Sequence, residues 1–394
     1  MLKVRPFAAA LLLLWLVGTA MRFPILAVPP VIPALRGEFG LSGTDIGILT
    51  GLPVVLFAAA ALVGSRLVAR VGAVTAVVIG LILTACGSAL RGIVPDMLTL
   101  FAATVVMGAG VAVIQPAMPA LVGKWLPHRI ALGTGTYTNG LLVGEILPVA
   151  LFPLLFPLLS GSWRGTFVFW AVPIAVIALL VVVLAPREPG AQSASAPRWW
   201  PDWPARDILR LSVTFASASA LYYASNGFLP GHLAAEGRPD LINPALTALN
   251  LGQLPASLIL IGFGRHLERK AWPFVVAGVL CLICVGVVVA SADPFAVVAS
   301  TGVLGFAIGA AFALCLTLPP LLSTPQEVAR VSAAMFTISY GSAMVVSVLS
   351  GVAWDLSGIE RFAFLPIALS ALPLVLLAPT IKFDRRPGAG TGAA

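Results

Sequence analysis

Charge is scarce in this chain. Asp, Glu, Lys and Arg make up only 10% of its 394 residues, against about 25% in a soluble domain. Hydrophobic residues reach 59%, and the mean hydropathy is +1.04. That balance excludes a water-soluble globular protein and indicates a polytopic membrane protein. Histidine is scarcer still. The three present, His128, His232 and His266, fall near span ends in different loops, so they assemble neither a metal cluster nor a Ser/His/Asp set. The four cysteines, Cys86, Cys281, Cys284 and Cys315, all lie in apolar runs. Cys281 and Cys284 have the C-x-x-C spacing of a redox or zinc pair. No His, Asp or charged group is near them in sequence, and small buried apolar side chains are the simpler reading. The net charge of +8 comes from short basic clusters at segment ends. With no basic stripe interleaved with aromatics, no nucleic-acid partner is expected. No metal and no cofactor are expected.

Long apolar runs are what the chain has in abundance. About 20 apolar residues cross a bilayer as a helix. On that measure twelve spans are predicted: Phe7–Ile32, Ile46–Leu67, Ala73–Leu90, Met97–Val122, Ile130–Phe156, Gly165–Ala185, Ile208–Pro230, Ala245–Gly262, Trp272–Ala290, Phe295–Leu318, Ala329–Val352 and Phe362–Ile381. Lys3 and Arg5 before the first run resemble a signal peptide. The run is too long and lacks a clear small-residue cleavage site, so it is read as an uncleaved span. The longest polar break, Pro186 to Asp207, holds Trp199, Trp200 and Trp203, residues that favour the headgroup level. It divides the chain into an N-terminal half at 1–186, a cytoplasmic linker at 187–207 and a C-terminal half at 208–394 ending in a short disordered tail. With the N-terminus inside, seventeen of the 23 Lys and Arg residues face the cytoplasm. Five (Arg36, Arg91, Arg164, Arg238 and Arg361) face outward, and Arg22 is the remaining one. This asymmetry supports twelve spans with both termini cytoplasmic.

Arg22 sits in the middle of the first span. A cation in hydrocarbon costs about 2.5–3.5 kcal/mol on insertion scales and persists where it meets a partner, a cavity or a ligand. Pro24, Pro29, Pro30 and Pro33 follow it, and each removes a backbone donor. The outer end of this helix is therefore expected to be broken, which membranes tolerate where backbone is buried in protein or lines a polar cavity. Glu145 is the only other charge deep in a predicted span. Arg22 and Glu145 each lie about 15 residues from the inner end of their spans, which at ~1.5 Å per residue places both near the midplane.

The halves repeat one another weakly. Gly161-x-x-Arg164-x-x-Phe167 opens span 6 and Gly358-x-x-Arg361-x-x-Phe364 opens span 12. Gly108-x-Gly110 in span 4 is echoed by Gly305-x-x-x-Gly309 in span 10, and Tyr137 in span 5 by Tyr340 in span 11. Matches at equivalent span numbers indicate duplication, and two six-helix bundles with a midplane site between them form the major facilitator architecture. Local motifs strengthen the likeness. They are Arg22-Phe23-Pro24 with Pro30 and Pro33; Leu41-Ser42; Gly47-x-Leu49-Thr50-x-Leu52-Pro53; Pro119-x-Leu121; Gly133-x-Gly135-x-Tyr137-Thr138; Trp163-Arg164; and Trp170-Ala171-x-Pro173. The second half adds Tyr223, Phe228-Leu229-Pro230, Gln253-x-Pro255 and Asp355-x-Ser357-Gly358. In these the chain resembles a major facilitator superfamily transporter of the cyanate permease and 2-nitroimidazole transporter group. The resemblance implies an all-α integral membrane protein of twelve transmembrane helices in two pseudo-symmetric bundles, with spans 1 and 5 facing one cavity. There are departures. The loop Ser65 to Gly72 lacks the Asp common between spans 2 and 3. Thr104 stands where proton-coupled antiporters often have Arg, and Glu145 stands where the group tends to have a small residue.

Substrate-binding candidates follow. The Arg22 guanidinium suits a small carboxylate, cyanate or a similar anion. Its structural alternative is neutralisation by Glu145 or backbone carbonyls. Glu145 has three readings: proton uptake in a symport cycle, pairing with Arg22 when the site is empty, or a purely structural ion pair. Tyr222 or Tyr223 shares a face of span 7 with Asn226, and Asn250 shares one of span 8 with Gln253. Gln115, Tyr137, Asn139 and Tyr340 complete the set. Each alone is more often a helix–helix hydrogen bond than a ligand. Gly140-x-x-x-Gly144 permits close helix contact, as a packing seam or a rocking surface.

The resulting expectation is a monomeric secondary active transporter, not an enzyme. It moves a small anion or compact polar solute by alternating access, coupled to protons or not, with membrane lipid as its surroundings. The alternatives are an exporter of small neutral compounds and a non-transporting sensor, which usually needs an added soluble domain. A membrane enzyme would need nucleophile, base or metal ligands at one depth. Primary active transport would need an ATPase motif, and none is present.

Overall fold

A computed structural model describes residues 6–186, 205–256, 259, 266–267, 269–322, 325–381 and 383. The Trp199, Trp200 and Trp203 cluster, the linker around it, Lys3, Arg5 and the glycine-rich tail lie outside the described residues. The described chain is helical throughout. Its elements are α1 (Pro6–Ala20), α2 (Phe23–Leu26), α3 (Ile32–Phe39), α4 (Gly43–Val71), α5 (Ala73–Arg91), α6 (Met97–Trp125), α7 (Ile130–Ala150), α8 (Phe152–Leu158), α9 (Trp163–Leu184), α10 (Ala205–Ala235), α11 (Ile242–Leu251), α12 (Trp272–Ala290), α13 (Pro294–Leu322), α14 (Pro325–Ser357), α15 (Phe364–Leu369) and α16 (Leu372–Leu376).

Among the described residues, eight helical segments are long and apolar enough to cross a membrane. They become nine if α7 and α8, bent 52° apart, form one span. The protein is an all-α, multi-pass membrane protein. Three expected spans miss this count, two of them, Ile46–Leu67 and Ala245–Gly262, because part of each lies outside the described residues. Side chains 59–66 of α4 are outside the description, which leaves Gly43–Ala58 as its apolar stretch. The middle of α10 is rich in Ser, Tyr and Asn. The regular part of α11 is only 10 residues long.

The first span breaks as its prolines require. Pro24 and the prolines beyond it cannot continue the amide ladder, and α1 stops at Ala20. The Arg22 N–H turns back to the Thr19 carbonyl (3.1 Å), and α2 restarts with Pro24 in its first turn, where a missing N–H costs nothing. The repeated glycines also find a cause. Gly161 and Gly358 both adopt left-handed backbone (φ +69° and +68°), a conformation that favours glycine.

The chain forms two compact units. The first holds Met1–Gly40 and Leu52–Ser195, the second Leu41–Gly51 and Ala196–Ala394. In the first, α5 packs on α6 and α9, and α1 on α7. Glu38 at the end of α3 is bound by Arg164 (2.7 Å) and by the Trp163 indole N–H (2.7 Å), which gives the Trp163-Arg164 motif a structural task. In the second, α10 packs on α14, and α11 and α12 on α13. The first turns of α4 belong here. The Asp355 carboxylate accepts hydrogen bonds from the amides of Gly43 (2.6 Å) and Thr44 (2.8 Å), capping the α4 N-terminus with an acid from α14.

Candidate functional site in the first unit

The site begins with a seam of small residues. Gly18 of α1 rests against the Tyr137 carbonyl. Gly140 and Gly144 of α7 rest against the carbonyls of Trp15 and Thr19, each too close to admit a Cβ. The Gly140-x-x-x-Gly144 spacing is thus a packing seam inside one unit. Close backbone approach is the general use of such pairs in membranes. Trp15 and Thr19 are one turn apart on α1. The Trp15 indole donates to Asn139 (2.9 Å), and Thr19 Oγ1 returns to the Trp15 carbonyl (2.9 Å).

The seam delivers Glu145 to Arg22. Gly144 lies directly beneath Arg22 Cβ, and the next residue is Glu145. Arg22 Nε lies 3.2 Å from Glu145 Oε1, with both side chains only 8% exposed. The two charges that the sequence places at one depth are an ion pair. Arg22 is also the residue at the break between α1 and α2, so its backbone is already irregular. A compact, nearly dry cation–carboxylate pair beside broken backbone can exchange its internal carboxylate for an external anion, or release the cation when the carboxylate is protonated.

The other predicted residues separate into groups. Tyr222, Asn226 and Asn250 form one hydrogen-bonded network in the second unit. Tyr222 Oη donates to Asn250 Oδ1 (2.6 Å), and Asn250 Nδ2 to Asn226 Oδ1 (3.1 Å) and the Leu246 carbonyl (2.8 Å). Asn226 Nδ2 donates to the Tyr222 carbonyl (2.9 Å). All three are buried, so the network ties α10 to α11. Tyr223 is buried edge-on to Tyr222, and Tyr340 is buried against Phe336. Gln253 is buried where Gly309 makes room for it. In the first unit, Asn139 is exposed, and Tyr137 and Gln115 are half-buried.

One residue was not foreseen. Arg91, expected in an outer loop, ends α5 and is completely buried. Local charge pattern gives no hint of this, because an Arg followed by Gly92 at a span end looks like an orientation signal. Among the described residues no group of three His, Cys, Asp or Glu side chains could hold a metal ion. Cys281 and Cys284 are buried one turn apart on α12 as free thiols.

Comparison with known proteins agrees with this architecture. The Major Facilitator Superfamily profile matches residues 11–347. The chain is 30% identical to the cyanate transport protein of Escherichia coli strain K12 over 93% of this chain and 96% of that one. It is 24% identical to the 2-nitroimidazole transporter of the same organism over 92% of each chain. The fold superposes on the D-xylose-proton symporter with a TM-score of 0.75 at 14% identity, covering 95% of this chain and 97% of that one. It also superposes on an inward-facing bacterial homologue of the human lysosomal transporter Spinster with a TM-score of 0.72 at 17% identity, over 98% of this chain and all of that one. The chain belongs to the Major Facilitator Superfamily and is a secondary transporter, not an enzyme.

Proposed function

We propose that this transporter carries a small anion or compact polar solute, and that Arg22 is the residue that holds it. The observation that carries this reading is the buried Arg22–Glu145 pair, 3.2 Å apart, in a broken span. A permanent cation so placed is functional by default. Its planar fork of donors suits a small anion better than an ammonium would. In the empty state Glu145 neutralises it. An incoming anion displaces Glu145, or protonation of Glu145 frees Arg22 and couples transport to protons. The relatives named for cyanate and 2-nitroimidazole support compact solutes.

The remaining architecture follows the family. The reading has twelve spans in two bundles, 1–186 and 208–394, joined by a cytoplasmic linker. The protein works as a monomer in a bacterial inner membrane with both termini inside. Gln115, Tyr137 and Asn139 serve the site from the first bundle. Tyr222, Tyr223, Asn226, Asn250, Gln253 and Tyr340 are the substrate-binding candidates of the second bundle.

Thermal stabilisation of purified protein tests the anion site. The panel is cyanate, nitrate, formate and neutral 2-nitroimidazole, each against wild type, Arg22→Ala and Glu145→Gln. An anion that stabilises wild type and not Arg22→Ala is expected. Stabilisation that survives Arg22→Ala would sink the anion site. Stabilisation by 2-nitroimidazole alone would favour a carrier of neutral compounds.

A further inference from the structure

Among the described residues Arg91 is the largest fully buried side chain, and no carboxylate pairs with it. Nη2 donates to the Pro24 carbonyl (2.7 Å) and approaches Ser88 Oγ (3.5 Å), while Nε and Nη1 have no hydrogen-bond partner. The guanidinium lies over the Phe167 ring, 4.4 Å from its centroid, and Ser88 Oγ in turn donates to the Phe167 carbonyl (3.0 Å). A buried, unpaired cation is expensive. Packing alone does not explain it, since an apolar side chain would fill the volume without that cost.

Its one strong bond is informative. In an unbroken helix the Pro24 carbonyl would accept from Val28. Here the Val28 N–H bonds to Ile25 (3.3 Å), and Pro29 has no N–H to offer. The broken span therefore has a buried carbonyl in want of a donor, two residues beyond Arg22. Arg91 supplies a charged one. The neighbouring Phe23 ring packs on Trp170 of α9, 4.7 Å between centroids. The residues just after Arg22 are thus gripped from α5 and α9, while the Arg22 side chain reaches α7.

We propose that Arg91 is a positioning residue that anchors the broken backbone of the first span at Pro24 and thereby sets where the Arg22 guanidinium stands. Its effect on substrate rests on the anion-site reading above; its effect on backbone does not. The test is amide hydrogen exchange of the full-length protein, read by mass spectrometry, for wild type, Arg91→Met and Arg91→Lys. Losing one charged hydrogen bond is expected to speed exchange of amides 22–32 by about tenfold or more. Peptides of α6 and α7 should stay unchanged, and Arg91→Lys, which keeps a charged donor, should restore part of the protection. Potassium cyanate is titrated in parallel, and Arg91→Met is expected to weaken its apparent affinity about tenfold. Should Arg91→Met fail to fold, Phe167→Leu removes the ring beneath the guanidinium and should raise exchange at 22–32 about two- to fivefold. Unchanged exchange at 22–32, or an equal rise across α5, α6 and α9, overturns the proposal. Faster exchange at 22–32 with no stabilisation of wild type by cyanate, nitrate or formate supports the anchor and removes the anion reading instead.

Discussion

Removing one half of the Arg22–Glu145 pair takes from the other charge its ion-pair partner in a nearly dry site. Arg22→Met or Glu145→Leu alone is therefore expected to cost about 3–5 kcal/mol, while the double substitution Arg22→Met with Glu145→Leu should cost less than either single change. Unfolding of the three variants in one detergent measures this, and additive losses would mean that the two side chains are not coupled. At this scale the sequence was informative where rarity was informative. Two intramembrane charges stood out against an apolar background and proved to be partners. Arg91 did not stand out. Its burial depends on α9 folding over the end of α5, and its hydrogen-bond acceptor is a carbonyl 67 residues away. Spacing puts Tyr222 or Tyr223 on one face of span 7 with Asn226, and Asn250 on one face of span 8 with Gln253. That Asn250 bonds to Tyr222 and Asn226 depends on the approach of α10 and α11, which no spacing rule states.

Helices α1 and α7 meet through glycine because their backbones touch. A Cβ at Gly144 would run into the Thr19 carbonyl and lie 3.0 Å from Arg22 Cβ, whereas one at Gly135 of the same helix meets nothing within 4 Å. Gly144→Ala is expected to destabilise by about 1–3 kcal/mol and to weaken anion stabilisation. Gly135→Ala should be neutral or stabilising by up to about 1 kcal/mol. Thermal melts with and without cyanate read both; equal behaviour of the two variants would refute the seam. The break in the first span was legible because proline acts locally, through a missing N–H that any reader can count. Of the three expected spans that miss the count, the one in α10 does so because it carries Ser, Tyr and Asn in place of apolar residues. There composition alone cannot distinguish a span lining a polar path from a segment that stays outside the bilayer.

For the chain as a whole, the skew of Lys and Arg predicts an even span number with both ends in the cytoplasm. A fluorescent protein fused after Ala394 should fluoresce, and a phosphatase inserted between Gly92 and Asp96 should be active. An active phosphatase at the C-terminus would rule out the twelve-span arrangement. Superfamily membership was legible from motifs spread over nearly the whole length, because orientation and duplication are properties of the entire chain. Arg91 marks the limit of that approach, since a single cation counted as outward-facing lies fully buried.

The pairing of Arg22 with Glu145 also constrains the order in which the protein can be made. Arg22 leaves the ribosome about 120 residues before Glu145. At about 5–20 residues per second the first span waits roughly 6–25 s for its counter-ion, at a standing cost of about 2.5–3.5 kcal/mol if it enters lipid alone. The Pro24 carbonyl waits in the same way for Arg91. The opening segment is therefore a poor candidate for early, independent release from the insertion machinery, and its lodging in the bilayer becomes secure only once α7 arrives.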